Sequence, residues 1–249
     1  MSTSTRGPVL LIYSAALTAG AGNGISIIAF PWLVLQRNGS ALEASVVAMA
    51  ATLPLLVATL FAGVAVDYLG RRRVSMISDL LSALSVAAVP VIALTFGVQA
   101  VNVAVLAALA ALGAFFDPAG MTARETMLPE AAARAGWTLD KTNSGYEAIF
   151  NLAYIVGPGI GGLLIATLGG VNTMWVTAAL FVVSIVTIAA LRLEGAGLPD
   201  RALLTDSVLA GIVEGLRFVW RTPVLRALLI VDLVVTGLYM PMESVLFPK

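Results

Sequence analysis

GVAVDYLGRRR, Gly63 to Arg73, lies between two long apolar runs. On its N-terminal side Leu42 to Val66 carries Glu43 as the only charge, and on its C-terminal side Val74 to Phe96 carries only Asp79. At ~1.5 Å per residue each run reaches across the ~30 Å hydrocarbon core of a bilayer. A connection this short predicts a hairpin tip. Arginine costs about 2.5–3.5 kcal/mol at mid-membrane on insertion scales, so Arg71, Arg72 and Arg73 keep that tip out of lipid and place it on the cytoplasmic side. Every other span takes its direction from it.

Composition points the same way. Hydrophobic residues make up 59% of the 249, charged residues 11%, and mean hydropathy is +0.98; soluble domains carry about 25% charged residues. The chain reads as an all-α polytopic membrane protein, with the lipid bilayer as its first partner. Basic and acidic residues balance at 14 each, which gives no argument for nucleic acid. Cys and His are absent, which removes disulfides, Cys/His zinc sites, an axial haem histidine and Ser-His or Cys-His pairs. No enzyme, metal or cofactor is expected. The polar start MSTSTRGP leads into a run too long for a signal-peptide core, read as a retained first span.

Seven spans follow in order. Span one covers Val9 to Leu35, interrupted by GAGNG (Gly20 to Gly24) and Pro31; Asn23 then sits near the midplane, either bonded to a neighbouring helix or facing a central cavity. Spans two and three flank the arginine tip. Span four runs from Val101 to Phe116, and Asp117 to Lys141 reads as a polar cytoplasmic loop. Span five, Ser144 to Leu168, contains GPGIGG (Gly157 to Gly162), where proline removes a donor and glycine removes bulk. Span six is Val171 to Leu191. Ser207 to Arg221 has apolar residues at helical spacing and predicts an amphipathic surface helix, and span seven runs from Leu225 to Phe247. Domain boundaries fall at 1–192 for a six-helix bundle, 193–224 for a cytoplasmic linker and 225–249 for the first helix of a second bundle.

Twelve of the 14 basic residues then lie on the arginine-tip side, leaving Arg37 and Lys249 opposite. This predicts a multi-pass protein of the cell membrane with a cytoplasmic N-terminus. It disfavours a seven-helix receptor or opsin, whose N-terminus lies outside.

The spacing Gly63, Asp67, Gly70, Arg71, Arg72, Arg73 resembles the signature loop of the major facilitator superfamily, and the proline-glycine run of span five resembles that of its drug/proton antiporters. RRRVSMISDLLSAL, PAGMTARETMLPEAA and EGLRFVWRTPVLRALLIVDL further resemble the Tap-type branch of mycobacterial multidrug efflux pumps. The resemblance implies two six-helix bundles, each a three-plus-three inverted repeat, around a central cavity. It also implies export of small drugs, such as tetracyclines and aminoglycosides, in exchange for protons, with the proton gradient as energy source. Twelve spans need roughly 380–420 residues, so the chain is expected to hold the first bundle, a linker helix and one further span. A missing second bundle, self-association, or a truncated membrane or interaction protein without transport are the expectations that follow.

Site candidates divide by role. Gly63, Asp67, Gly70 and the three arginines form a gating latch, with Asp117 as a second partner for the cluster; the plainer reading is a topology anchor. Proton coupling needs a carboxylate that alternates between buried and wet surroundings, for which Asp232, Asp79, Glu147 and Glu243 are the candidates. Asn23, Phe30, Tyr146, Tyr154 and Tyr239 are cavity candidates, and Gly157, Pro158, Gly159, Gly161 and Gly162 form the antiporter helix motif.

Overall fold

The computed structural model describes residues 5–194, 208–231 and 234. Among these residues there is no strand. The helices are α1 (Gly7–Asn38), α2 (Ala41–Leu69), α3 (Arg71–Phe96), α4 (Val103–Ala135), α5 (Leu139–Leu168), α6 (Gly170–Ala190) and α7 (Val208–Arg221), with a 3-10 turn at Val98–Ala100. Two compact units divide the chain, Met1–Leu203 with the six-helix bundle and Leu204–Lys249 with α7. By length and composition α1 and α3 to α6 can each cross a membrane. The sixth span is α2, which bends by 41° between its halves Ala41–Leu55 and Val57–Leu69, beside Pro54. The all-helical, multi-span fold is therefore as expected.

Local chemistry sets the helix ends. Ser40 caps α2, accepting from the Glu43 amide at 3.2 Å, and Asn102 caps α4, accepting from Val105 at 3.0 Å. Gly70 alone joins α2 to α3 at φ 87, a backbone region that side chains oppose and glycine enters freely. Arg37, at the end of α1, grips the turn between α3 and α4 through the backbone and side-chain oxygens of Gln99, both at 2.9 Å.

Two expectations are corrected. The GAGNG run does not interrupt the first span, because α1 is continuous through Gly20–Gly24 and Pro31. Its glycines are packing sites: a Cβ on Gly24 would lie 3.0 Å from the Gly157 Cα, and one on Gly22 would lie 3.0 Å from the Phe181 ring. Nor is 117–141 a polar loop. Helix α4 continues to Ala135 and α5 starts at Leu139, because Asp117 and Arg124 find partners inside the bundle instead of water.

Packing follows an internal repeat. Helix α1 lies on α5 as α4 lies on α2, α3 packs on α6, and the α3–α4 contact is matched by α6–α1. This is the pairing a three-plus-three inverted repeat requires. The α1–α5 seam joins two Gly-x-x-x-Gly pairs, Gly20/Gly24 and Gly157/Gly161, which bring backbones close where apolar burial gives no driving force. On α3, Ser75, Ser78, Asp79, Ser82 and Ser85 are buried along one stripe. Ser78 donates to the Phe116 carbonyl at 2.7 Å and Ser85 to that of Leu109. Two apolar clusters, one including Ile12, Met127 and Ile188 and the other Ile25, Leu106 and Phe181, sandwich the polar side chains of α3, α4 and α6.

In the second unit, α7 covers Val208–Arg221, matching the amphipathic helix read from Ser207 to Arg221. The chain is helical again at 223–231, where span seven was expected to begin.

A polar layer and a central cavity

Arg124 on α4 reaches Asp79 on α3 through Nη1, at 3.0 Å from Oδ1 and 3.1 Å from Oδ2. Their side chains are 4% and 3% exposed. Ser184 on α6 donates to Asp79 Oδ2 at 2.6 Å, and Arg124 Nη1 donates to Ser75 Oγ at 3.4 Å. A charge pair survives in so apolar a place only when its remaining polar valences are met in this way. Tyr146 on α5 is buried beside the guanidinium. Among the described residues, Arg124 Nε and the Tyr146 hydroxyl are buried without a hydrogen bond.

Asp117 stands seven residues before Arg124, two turns along the same face of α4. It looks into a cavity of about 710 Å³ walled by all six helices of the bundle. Asn23 and Phe30 come from α1, Ser82 from α3, Phe150 and Tyr154 from α5, and Phe181 from α6. Ser82 donates to Asp117 Oδ1 at 3.1 Å, the Asn23 amide is a second polar neighbour, and Arg124 and Asp79 lie within electrostatic reach. Phe150 and Tyr154 stack with centroids 6.0 Å apart and planes at 24°. A smaller cavity of about 240 Å³ lies between α4 and α5, lined by Glu125, Asn143, Tyr146 and Glu147.

These positions sort the residues read from sequence. Asn23, Phe30 and Tyr154 meet at the central cavity. Tyr146 does not; it closes the polar layer and borders the smaller cavity, because the Arg124 guanidinium occupies its hydroxyl side. Asp117 is corrected in the same way: it sits in mid-helix against Ser82 and Asn23 and, among the described residues, makes no ion pair with the arginine triplet. Glu147 is exposed on the rim of the smaller cavity. Asp232, Tyr239 and Glu243 lie outside the described residues.

In the signature loop, Arg72 donates to the carbonyls of Ile188, at 3.2 Å, and Ala189, tying α3 to the C-terminal end of α6, where a cation is favoured by the helix dipole. A Cβ on Gly63 would meet nothing within 4 Å, so within this bundle Gly63 does not serve close approach. The antiporter motif splits by face. Gly157 and Gly161 press on Gly24 and Ile25, whereas Gly159 and Gly162 face open space. The sequence reading missed Ser82, Ser184, Phe150 and Phe181, and it counted Arg124 among loop cations. A stripe of Ser and Asp on an otherwise apolar span was the available signal for the first of these.

A six-span bundle built as an inverted repeat around a drug-sized cavity defines a membrane transporter bundle. Residues 12–248 match the family model of the Major Facilitator Superfamily, and the chain belongs to that family. It is a multi-pass membrane protein of a transporter family and not an enzyme. Over its full length it is 82% identical to the multidrug efflux pump Tap of Mycolicibacterium fortuitum, covering 61% of that protein. It is 65% identical to the protein of the same name from Mycobacterium tuberculosis, covering 59%. Over 93% of the chain it is 26% identical to macrolide efflux protein A of Streptococcus pyogenes, covering 57%. The chain thus spans about three fifths of the length of the curated relatives it matches.

Proposed function

We propose that this chain forms the N-terminal part of a proton-coupled multidrug exporter, with its N-terminus in the cytoplasm. The observation that supports this most is the cavity of about 710 Å³, largely apolar and aromatic but holding one carboxylate without an ion pair among the described residues. Sites of this size and mixture accept drug-sized molecules by loose fit. Tetracyclines and aminoglycosides are the cargo proposed from the family resemblance. A second bundle would supply the opposite wall, and rocking of one against the other would alternate access.

In this reading Asp67 and Arg71 to Arg73 latch one face shut, with Gly70 setting the turn. Proton coupling falls to a carboxylate among Asp79, Glu147, Asp232 and Glu243. Asp79 has the burial required, and its release from Arg124 would be the step that exposes it to protonation. Cellular tetracycline accumulation measured with and without a proton uncoupler tests the proposal. Expression of the full-length protein, this chain together with a second bundle, should lower accumulation, the uncoupler should restore it, and Asp67→Asn or Arg71→Ala should abolish the difference. Efflux that persists in the uncoupler overturns proton coupling, and unchanged efflux in both variants overturns the latch.

A further inference from the structure

We infer that the smaller cavity between α4 and α5 is a water inlet ending at Tyr146 and Arg124, and that Glu125 and Glu147 carry protons through it to the Asp79–Arg124 pair, apart from the central cavity. Its use in coupling rests on the exporter reading; the hydration of the inlet does not. Burial is graded along the wall. Asn143 and Glu147 are exposed at the mouth, Glu125 is half-buried, and Tyr146 is 1% exposed at the inner end. Leu128, Pro129 and Leu139 also line it, so the mouth lies toward the connection from α4 to α5. In a six-span bundle that connection falls on the same side as Gly70 and the arginine triplet. Arg124 lines the central cavity and Tyr146 the smaller one, so the wall between the two cavities is where these side chains meet.

That wall is polar and unmet. Arg124 Nε and the Tyr146 hydroxyl are both buried without a hydrogen bond among the described residues, although the two side chains lie within electrostatic reach of each other. Leaving a buried polar group unpaired costs about 1–3 kcal/mol, and native proteins rarely do so. A water between the two meets both needs, accepting from Nε and bonding the hydroxyl, and the cavity of about 240 Å³ beside Tyr146 leads it to solution. Glu125 and Glu147 lie within reach of each other and of Tyr146, and neither has an ion pair among the described residues. Glu147 takes a proton from solution and passes it to Glu125; water carries it past Tyr146, and Asp79 receives it when its bond to Arg124 opens. Each transfer breaks one O–H bond and forms another, and the reverse sequence returns the proton to solution. Arg124 faces Glu125 and Tyr146 along this route, and Arg124, Asp117 and Ser184 face Asp79.

Hydroxyl-radical labelling by X-ray radiolysis marks side chains that touch water, and mass spectrometry reads each residue. Tyr13 is the internal control, 9% exposed with its hydroxyl donating to the Thr142 carbonyl at 2.7 Å. Exposure alone ranks Tyr146 below Tyr13; the inlet ranks it above. In the detergent-purified chain Tyr146 should be labelled several-fold faster than Tyr13, and equal or slower labelling would overturn the inference. The proton role is read in the full-length protein, this chain together with a second bundle. There Glu125→Gln combined with Glu147→Gln should lower the maximal rate of tetracycline efflux about tenfold or more, since a positioned proton-transferring side chain contributes ~10²–10⁴-fold to its step. KM should stay within about twofold, and the pH at which the rate is half-maximal should move. An unchanged rate and pH profile, or a loss confined to KM, overturns the role given to the two carboxylates. Rapid labelling of Tyr146 in a protein whose efflux ignores an uncoupler removes only the proton-coupled reading. Uncoupler-sensitive efflux with Tyr146 protected removes only the inlet.

Discussion

The α1–α5 seam and the α3–α4 seam hold the same bundle by different means. Along the first, Gly20 and Gly24 meet Ala153 and Gly157, and Gly161 lies over Ile25. Backbone touches backbone. Along the second, serine hydroxyls reach the carbonyls of α4 and a buried Asp79–Arg124 pair joins the helices. Lipid is as apolar as leucine, so neither seam gains the burial energy that drives association in water. Van der Waals fit serves the first seam and polar bonds the second, and helices of both line the cavity. The buried charge pair of the bundle sits on the second seam.

The contrast breaks most sharply at the ion pair. Arg124→Ala leaves Asp79 buried without its cation, a loss of about 3–5 kcal/mol by analogy with buried pairs elsewhere. Thermal unfolding in detergent should show it as the largest single loss in the bundle. The paired change Asp79→Asn with Arg124→Gln should cost well under the sum of the two separate changes, since no lone charge remains. Additive losses would mean that the two side chains do not act as a unit.

Steric intolerance is the signature of the other seam. Gly157→Val puts a branched side chain where a Cβ alone would already lie 3.0 Å from the Gly24 backbone, and about 1–3 kcal/mol of overpacking strain is expected. Gly159→Ala on the same helix faces open space and should shift stability by no more than about 0.5 kcal/mol. Measured together by thermal unfolding, the pair tests whether the motif divides by face. Equal effects would mean that GPGIGG acts through helix flexibility and not through packing.

The spans and the repeat were readable because apolar runs and arginines are local signals. Asp67, Gly70 and Arg71 to Arg73 are contiguous, and the turn they form needs no distant partner to be recognised. Asp117 and Arg124 were misread for the opposite reason. A polar residue in a short-range reading belongs to water, and what cancels its cost here lies 45 residues away at Asp79 for Arg124 and 35 residues away at Ser82 for Asp117. Their spacing of seven residues, one face of a helix, was the clue. Gly63, Gly159 and Gly162 illustrate a different limit. Their sequence marks them as special, yet among the described residues a Cβ on any of them would meet nothing within 4 Å.

The smallest effect expected at a seam contact discriminates most finely between the two seams. Ser78→Ala removes the 2.7 Å bond to the Phe116 carbonyl, and hydrogen bonds between membrane helices average about 0.6 kcal/mol. The same side chain fills the space beside Gly120, where an added Cβ would lie 2.5 Å from the Ser78 hydroxyl and 2.7 Å from its Cβ. Gly120→Ala should therefore be harmful in the native chain and less so beside Ser78→Gly, which removes the Ser78 Cβ at 2.7 Å as well as the hydroxyl. A double-mutant cycle on thermal stability reads the coupling directly. A coupling near zero would reduce the serine stripe to a set of separate bonds, whereas a favourable one makes it a seam in which fit and polarity are the same contact.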